Sequence, residues 1–101
     1  MLYRIDEIQL KKPTIWDKKW RLIMFDIPHN KKASRDALRA KLRQLDFYPL
    51  QKSVFVTPYP CEDEIDFIGS VFGVRSHILI LSLPTFSEDG TWQNYFNLKK
   101  L

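Results

Sequence analysis

The sequence predicts an α+β sandwich, and three features carry that prediction. The run WRLIMFDI at 20–27 is almost unbroken in apolar character, as in a central strand covered on at least one face. Two segments, at 33–45 and after Pro60, space their apolar residues as amphipathic helices do. Stretches rich in β-branched and aromatic residues follow each of them.

The first strand occupies 20–27 and stops at the Ile27-Pro28 break; His29-Asn30-Lys31-Lys32 is then a polar loop. The first helix, 33–45, rests on Leu38, Leu42 and Leu45 at i, i+4 and i+7, with either Asn30 or Ser34 at its start. FYPLQKSVFVTP at 47–58 reads as two short strands broken near Gln51-Lys52-Ser53. Beyond Pro60-Cys61, the acids Glu62, Asp63 and Glu64 suit a first helical turn, where the macrodipole favours negative charge. Ile65, Ile68, Val71 and Phe72 give that helix its apolar stripe, and Gly73 its stop. HILILSL at 77–83 is the last strand, closed by Pro84. In the tail, TWQNYFNLKKL, the aromatics Trp92, Tyr95 and Phe96 fit helical spacing, and they equally suit a strand added to a partner's sheet edge. The resulting order, βαββαβ, is that of a ferredoxin-like sandwich: an antiparallel sheet, two helices on one face, and a C-terminal extension. Residues 1–19 form a leader or linker and 20–101 the domain.

A chain of 101 residues has room for one core, and 45% apolar content with 14% aromatic residues excludes a disordered chain. No run is long enough to span a membrane, and the opening MLYRIDE carries acids where a signal peptide needs an apolar stretch. The single cysteine, Cys61, cannot close an internal disulfide or build a metal knuckle, so a reduced, cytoplasmic protein with no membrane partner is expected. Net charge is +4, but it is unevenly placed: 11–52 carry a balance of +8 and 53–101 one of −3. Such asymmetry suits a polyanion partner, or two surfaces that attract each other in a homodimer.

Few residues suggest chemistry. Glycines at 69, 73 and 90 are too scattered for a phosphate loop. His29 and His77 lack any ligand spacing and read as surface or strand-start residues, while Cys61 caps or packs the second helix. Asp26 is the exception, a lone carboxylate at the rim of the first strand. One carboxylate makes a poor magnesium site, because that ion wants several oxygen ligands. Two copies about a dimer axis would share an ion and hold a scissile phosphate between them. Alternatively, Asp26 accepts hydrogen bonds from the amides of the 27–30 turn. Arg35, Arg39 and Arg43 recur every four residues and, with Lys31 and Lys32, form a candidate phosphate-contacting face or else a solvated one. Trp16 and Trp20, on either side of Asp17-Lys18-Lys19, read as pins that hold the entry segment to the core.

With these elements placed, the stretch from Trp20 to about Leu83 resembles the Cas-two family of small CRISPR-associated spacer-acquisition subunits. The resemblance lies in FDIP at 25–28, the Arg-bearing first helix, and LQKSVFV at 50–56. It implies a symmetric dimer with facing sheets and, in some members, metal-dependent phosphodiesterase activity. Asp26 is then the catalytic metal ligand, with Ser53 and Phe55 in the strand framing the site. The resemblance also implies bridging of integrase subunits and binding of duplex DNA along a basic surface. WDKKWRLIMFDIP, FYPLQKSVFVTPYP and YFNL are in addition similar to the central domain of PaaX-type transcriptional repressors, which shares that fold. In those proteins a winged helix precedes the domain through a segment like IQLKKPTIWDKKW. The leading expectation is a homodimeric subunit that binds duplex DNA or RNA through its basic first half, partners a CRISPR integrase subunit, and hydrolyses phosphodiesters with Mg2+ at paired Asp26 carboxylates. The alternative is a non-catalytic dimerisation or effector module of a PaaX-like repressor. A third reading is a silent bridging subunit in which Asp26 is a turn residue.

Overall fold

A computed structural model describes residues 5–98 of the chain. Strands β1 (Lys19–Phe25), β2 (Tyr48–Gln51), β3 (Val54–Thr57) and β4 (Ile78–Pro84) make one antiparallel sheet in the order β2-β3-β1-β4. With helices α1 (Lys32–Gln44) and α2 (Glu62–Val71), this is the expected ferredoxin-like arrangement, and a third helix, α3 (Gly90–Phe96), follows. Each predicted element lies within two residues of its expected ends.

The unbroken apolar character of β1 has a direct cause. The strand pairs on both edges, and residues opposite one another share a face of the sheet. Trp20, Leu22 and Met24 stand opposite Leu83, Leu81 and Leu79 of β4, and Leu22 and Met24 opposite Val56 and Val54 of β3. Ile23 and Phe25, opposite Ile80 and Ile78, take the other face, where Ile23 also meets Phe55. Both faces of the sheet are therefore apolar.

The Ile23/Phe25 face is buried beneath α1 and α2, through Leu38, Leu42, Ile65 and Ile68. Ile8, from the leader, is buried in the same cluster. Neither Asn30 nor Ser34 starts α1. Instead, a 3-10 turn over His29–Lys31, closed by the Lys31 amide donating to the Pro28 carbonyl (2.9 Å), runs directly into the helix. Cys61 occupies the N-cap of α2 without a side-chain capping bond; its thiol is buried, and burial, with Glu62 nearby, pushes its pKa up to about 12. Gly73 follows α2 at φ +70°, a conformation that favours glycine. Gly69 answers to a different constraint: a Cβ there would lie 2.9 Å from the Arg75 Cα, where the chain crosses back over α2.

The Trp20/Leu22 face has its own cluster. Trp16, Trp20, Val56 and Leu98 are buried there, and Tyr48, Leu50, Leu83, Trp92 and Phe96 pack around them. Trp20 meets Trp16 at 4.8 Å and Trp92 edge-on at 5.2 Å between ring centroids, contacts that each add about 0.5–1.5 kcal/mol beyond burial. The described part of the tail is thus a helix folded back on the sheet, and it offers no strand to a partner; residues 99–101 lie outside the described residues. Asn97, at φ 60°, ends α3, and the Leu98 amide reaches the Gln93 carbonyl (2.9 Å), turning Leu98 into the cluster.

Two polar ties hold this second layer. The Arg21 guanidinium donates to both carboxylate oxygens of Asp17 (2.9 and 2.6 Å) and to the Pro58 carbonyl (2.8 Å), and the Asp17 carboxyl is held below its usual range chiefly by that Arg21 bond. Asp89, almost fully buried, accepts hydrogen bonds from Trp20 Nε1 (2.8 Å), Gln93 Nε2 (2.7 Å) and the Phe86 amide (3.2 Å). Burial pushes the Asp89 carboxyl up, but these three donors outweigh it and leave the pKa lowered.

Asp89→Ala strands a buried indole N–H, so a loss of about 1–3 kcal/mol is expected in urea unfolding. Because the folded pKa is depressed, this stabilisation is full above the ordinary aspartate value of 3.8 and is lost as pH falls below it. Melting temperature measured from pH 6 to pH 2.5 should fall more steeply for the wild type than for Asp89→Asn.

Candidate functional site

β1 ends at Phe25, whose amide donates to the Ser53 carbonyl (3.1 Å); the next amide, Asp26, donates to the His77 carbonyl (3.0 Å). That bond lies one step past the last registered pair, Phe25 and Ile78, where His77 closes a 3-10 turn over Arg75–His77 and its own amide donates to the Val74 carbonyl (2.9 Å). Strand alternation then sets Asp26 on the face of Met24, away from α1 and α2. Met24, Asp26, Ser53, Val54, His77 and Leu79 line one groove of about 350 Å³. The Asp26 carboxylate is exposed and has no hydrogen bond or ion pair among the described residues. The amides of the 27–30 turn do not cap it, contrary to the structural alternative.

Phe55 lies elsewhere. It is buried on the helix-side face and stacks on Phe25 at 6.1 Å between ring centroids, so it backs β1 without lining this groove. Ser53 does line it, because it belongs to the two-residue turn between β2 and β3 and not to the alternation of β3.

Beyond Asp26 the sheet face stays open. Trp16 and α3 cover the end around Trp20 and Tyr48, while Leu79 and Leu81 are 54% and 43% exposed. Both leucines stand on the face of Leu22 and Met24, so the exposed part of this face is apolar.

The basic residues divide. Lys32, Arg35 and Arg39 share a second groove with Lys52, Ser53 and one acid, Asp36. Asp36 receives Lys32 at 2.7 Å, Arg39 at 3.6 Å and Arg35 at 3.8 Å; the Lys32 bond, with both arginines, holds its carboxyl below the usual range. Arg39 Nε also donates to the Lys52 carbonyl (3.0 Å), and the buried Arg35 Nε has no hydrogen-bond partner. Three cations surround the one carboxylate and Lys52 adds a fourth to the lining, which leaves the groove positive. Lys31 and Arg43 stand apart from it: Lys31 Nζ donates to the Gly73 carbonyl (3.1 Å), and Arg43 lies 6.0 Å from the Phe55 ring centroid. Asp36 was legible as the i+4 partner of Lys32, whereas Lys52 joins only through the fold.

Among the described residues, no group of three or more His, Cys, Asp or Glu could hold a metal ion, and no helix is long and apolar enough to cross a membrane. No curated protein and no solved structure matches the chain. A family model described as "PaaX protein central Cas2-like domain" matches residues 13–93, a span that takes in Trp16, the whole sheet, α1, α2 and the start of α3. On that match the chain belongs to the family of PaaX central Cas2-like domains.

Proposed function

We propose that the chain is a pairing module of a PaaX-type transcriptional regulator, in which two copies meet through the open end of the sheet and the basic groove of α1 rests on duplex phosphates. The family match over 13–93 carries this reading, and it favours the repressor alternative over a CRISPR nuclease subunit. Exposed Leu79 and Leu81, on a face otherwise covered, support pairing. The Lys32/Arg35/Arg39/Lys52 groove supports backbone contact, which positions a protein on a duplex without reading its sequence. Under this reading the protein works in the cytoplasm, where its DNA is.

A second reading, a magnesium-dependent nuclease that works beside an integrase, is favoured by one observation: the free Asp26 carboxylate at the strand end. Asp26 would hold the ion, with the same residue of a second copy completing its ligands.

Sedimentation equilibrium should show a dimer for the wild type and a monomer for Leu79→Glu/Leu81→Glu. A wild-type monomer at every concentration overturns the pairing role. Replacing Arg35 and Arg39 by Gln should weaken duplex binding and flatten the slope of log K on log salt by about 1.8, since each phosphate contact adds about 0.9. An unchanged slope makes the groove a solvated surface. Incubation of labelled duplex DNA and single-stranded RNA with and without Mg2+ separates the two readings. Absence of cutting by wild type and by Asp26→Asn supports the pairing module; Mg2+-dependent cutting lost in Asp26→Asn establishes the nuclease.

A further inference from the structure

We propose that two copies of this chain pair through the outer edge of β4, each β4 lying antiparallel to the other so that the two sheets become one. The inference rests on the pairing reading above and names the groups that make the contact.

The two edges of the sheet differ. At one edge, β2 is four residues long, contains Pro49 and breaks register between Pro49 and Gln51. Short length, proline and an irregularity are features that guard an edge against pairing. At the other edge, β4 runs for seven residues, ILILSLP, in unbroken register and without a charged side chain. Such an edge is a template for a further strand.

Hydrogen bonding fixes which groups are free. The Phe25 amide donates to the Ser53 carbonyl, so odd-numbered residues of β1 bond to β3 and even-numbered ones to β4. Trp20, Leu22 and Met24 stand opposite Leu83, Leu81 and Leu79. The main-chain groups of those leucines are therefore spent on β1, and those of Ile78, Ile80, Ser82 and Pro84 point outward. Ile78 is already satisfied: its amide donates to the Arg75 carbonyl, and its carbonyl accepts Arg75 Nη1 (2.8 Å). Pro84 has no N–H. Ile80 and Ser82 are left, each with one donor and one acceptor at the edge.

Those groups fit one another. An antiparallel copy centred on Leu81 sets Ile80 opposite Ser82 of the second copy, and such a pair exchanges two N–H···O bonds. The two-fold axis repeats the exchange, and no amide or carbonyl of either residue stays unpaired. A centre at Ile80 sets Ser82 against Ile78, whose groups are taken. A centre at Ser82 sets Ile80 against Pro84, which has no N–H to give. The chosen register also places Leu81 opposite its own counterpart and Leu79 opposite Leu83, on the face where Leu79 and Leu81 are exposed. A segment that complements itself about a two-fold axis calls for a second copy and not a foreign strand.

The test is amide hydrogen exchange of the full chain, read by NMR above and below its dimer dissociation constant. Ile80 and Ser82 should exchange at least about tenfold more slowly in the dimer, while Leu79, Leu81 and Leu83, bonded to β1, should be protected at both concentrations. Ser82→Pro removes an outward donor without touching the bonds to β1, and should weaken association at least about tenfold in sedimentation equilibrium. On oxidation, Leu81→Cys should cross-link to itself, and Leu79→Cys only when mixed with Leu83→Cys. A dimer in which Ile80 and Ser82 exchange as fast as in the monomer overturns the edge contact and leaves pairing through the open face standing. So does a folded Ser82→Pro that pairs as tightly as wild type, or a Leu79→Cys that cross-links to itself as readily as Leu81→Cys. A monomer at every concentration overturns edge contact and pairing together.

Discussion

One constraint organises this domain: β1 is apolar on both faces and paired on both edges, so it has to be enclosed on every side. Two helices satisfy that demand below the sheet through Leu38, Leu42, Ile65 and Ile68. Above it, Trp16 and α3 enclose Trp20, which has no exposed surface. At roughly 25 cal/mol per Å² of apolar surface removed from water, covering a tryptophan outweighs any single hydrogen bond in the layer. Asp89 contributes geometry, orienting the Trp20 ring so that Trp16 and Trp92 can pack against it. The demand is met incompletely at Leu79 and Leu81, which stay exposed.

The two candidate surfaces meet at one turn. Lys52 accepts Arg39 through its carbonyl, and Ser53 accepts the Phe25 amide through its own. The same pair of residues therefore fixes the basic groove to the β2–β3 hairpin and fixes the end of β1 beside it. Ser53 lines both grooves. A change in the position of this turn would move the Lys32, Arg35 and Arg39 groove and the Asp26 rim together.

Most of the fold was legible, because strands and helices are written in local periodicity. What escaped was written in pairs distant along the chain. His77 reads as an isolated residue, and only the fold brings its carbonyl to the Asp26 amide. Asp89, in a polar loop, shows no sign that its partner is the Trp20 indole. Phe55 shares sequence parity with Ser53, but the turn resets the alternation, and the two side chains part company. Arginines at every fourth position promise one row, yet Asp36 gathers Arg35 and Arg39 while Arg43 rests against Phe55. The tail could not be read alone: Trp92 and Phe96 suit either a strand or a helix, and the bare Trp20 face decides.

The bond between Trp20 and Asp89 joins positions 69 residues apart, and this separation orders events during synthesis. The sheet and both lower helices are complete once β4 has been made, while the lid on Trp20 is still to come. In that interval Trp16 alone is available to cover Trp20, and the face lacks Trp92, Phe96 and Leu98. Only when α3 closes over Trp20 is the apolar surface divided into a covered end and the exposed Leu79 and Leu81. The last helix thus finishes a layer that the rest of the domain leaves half built.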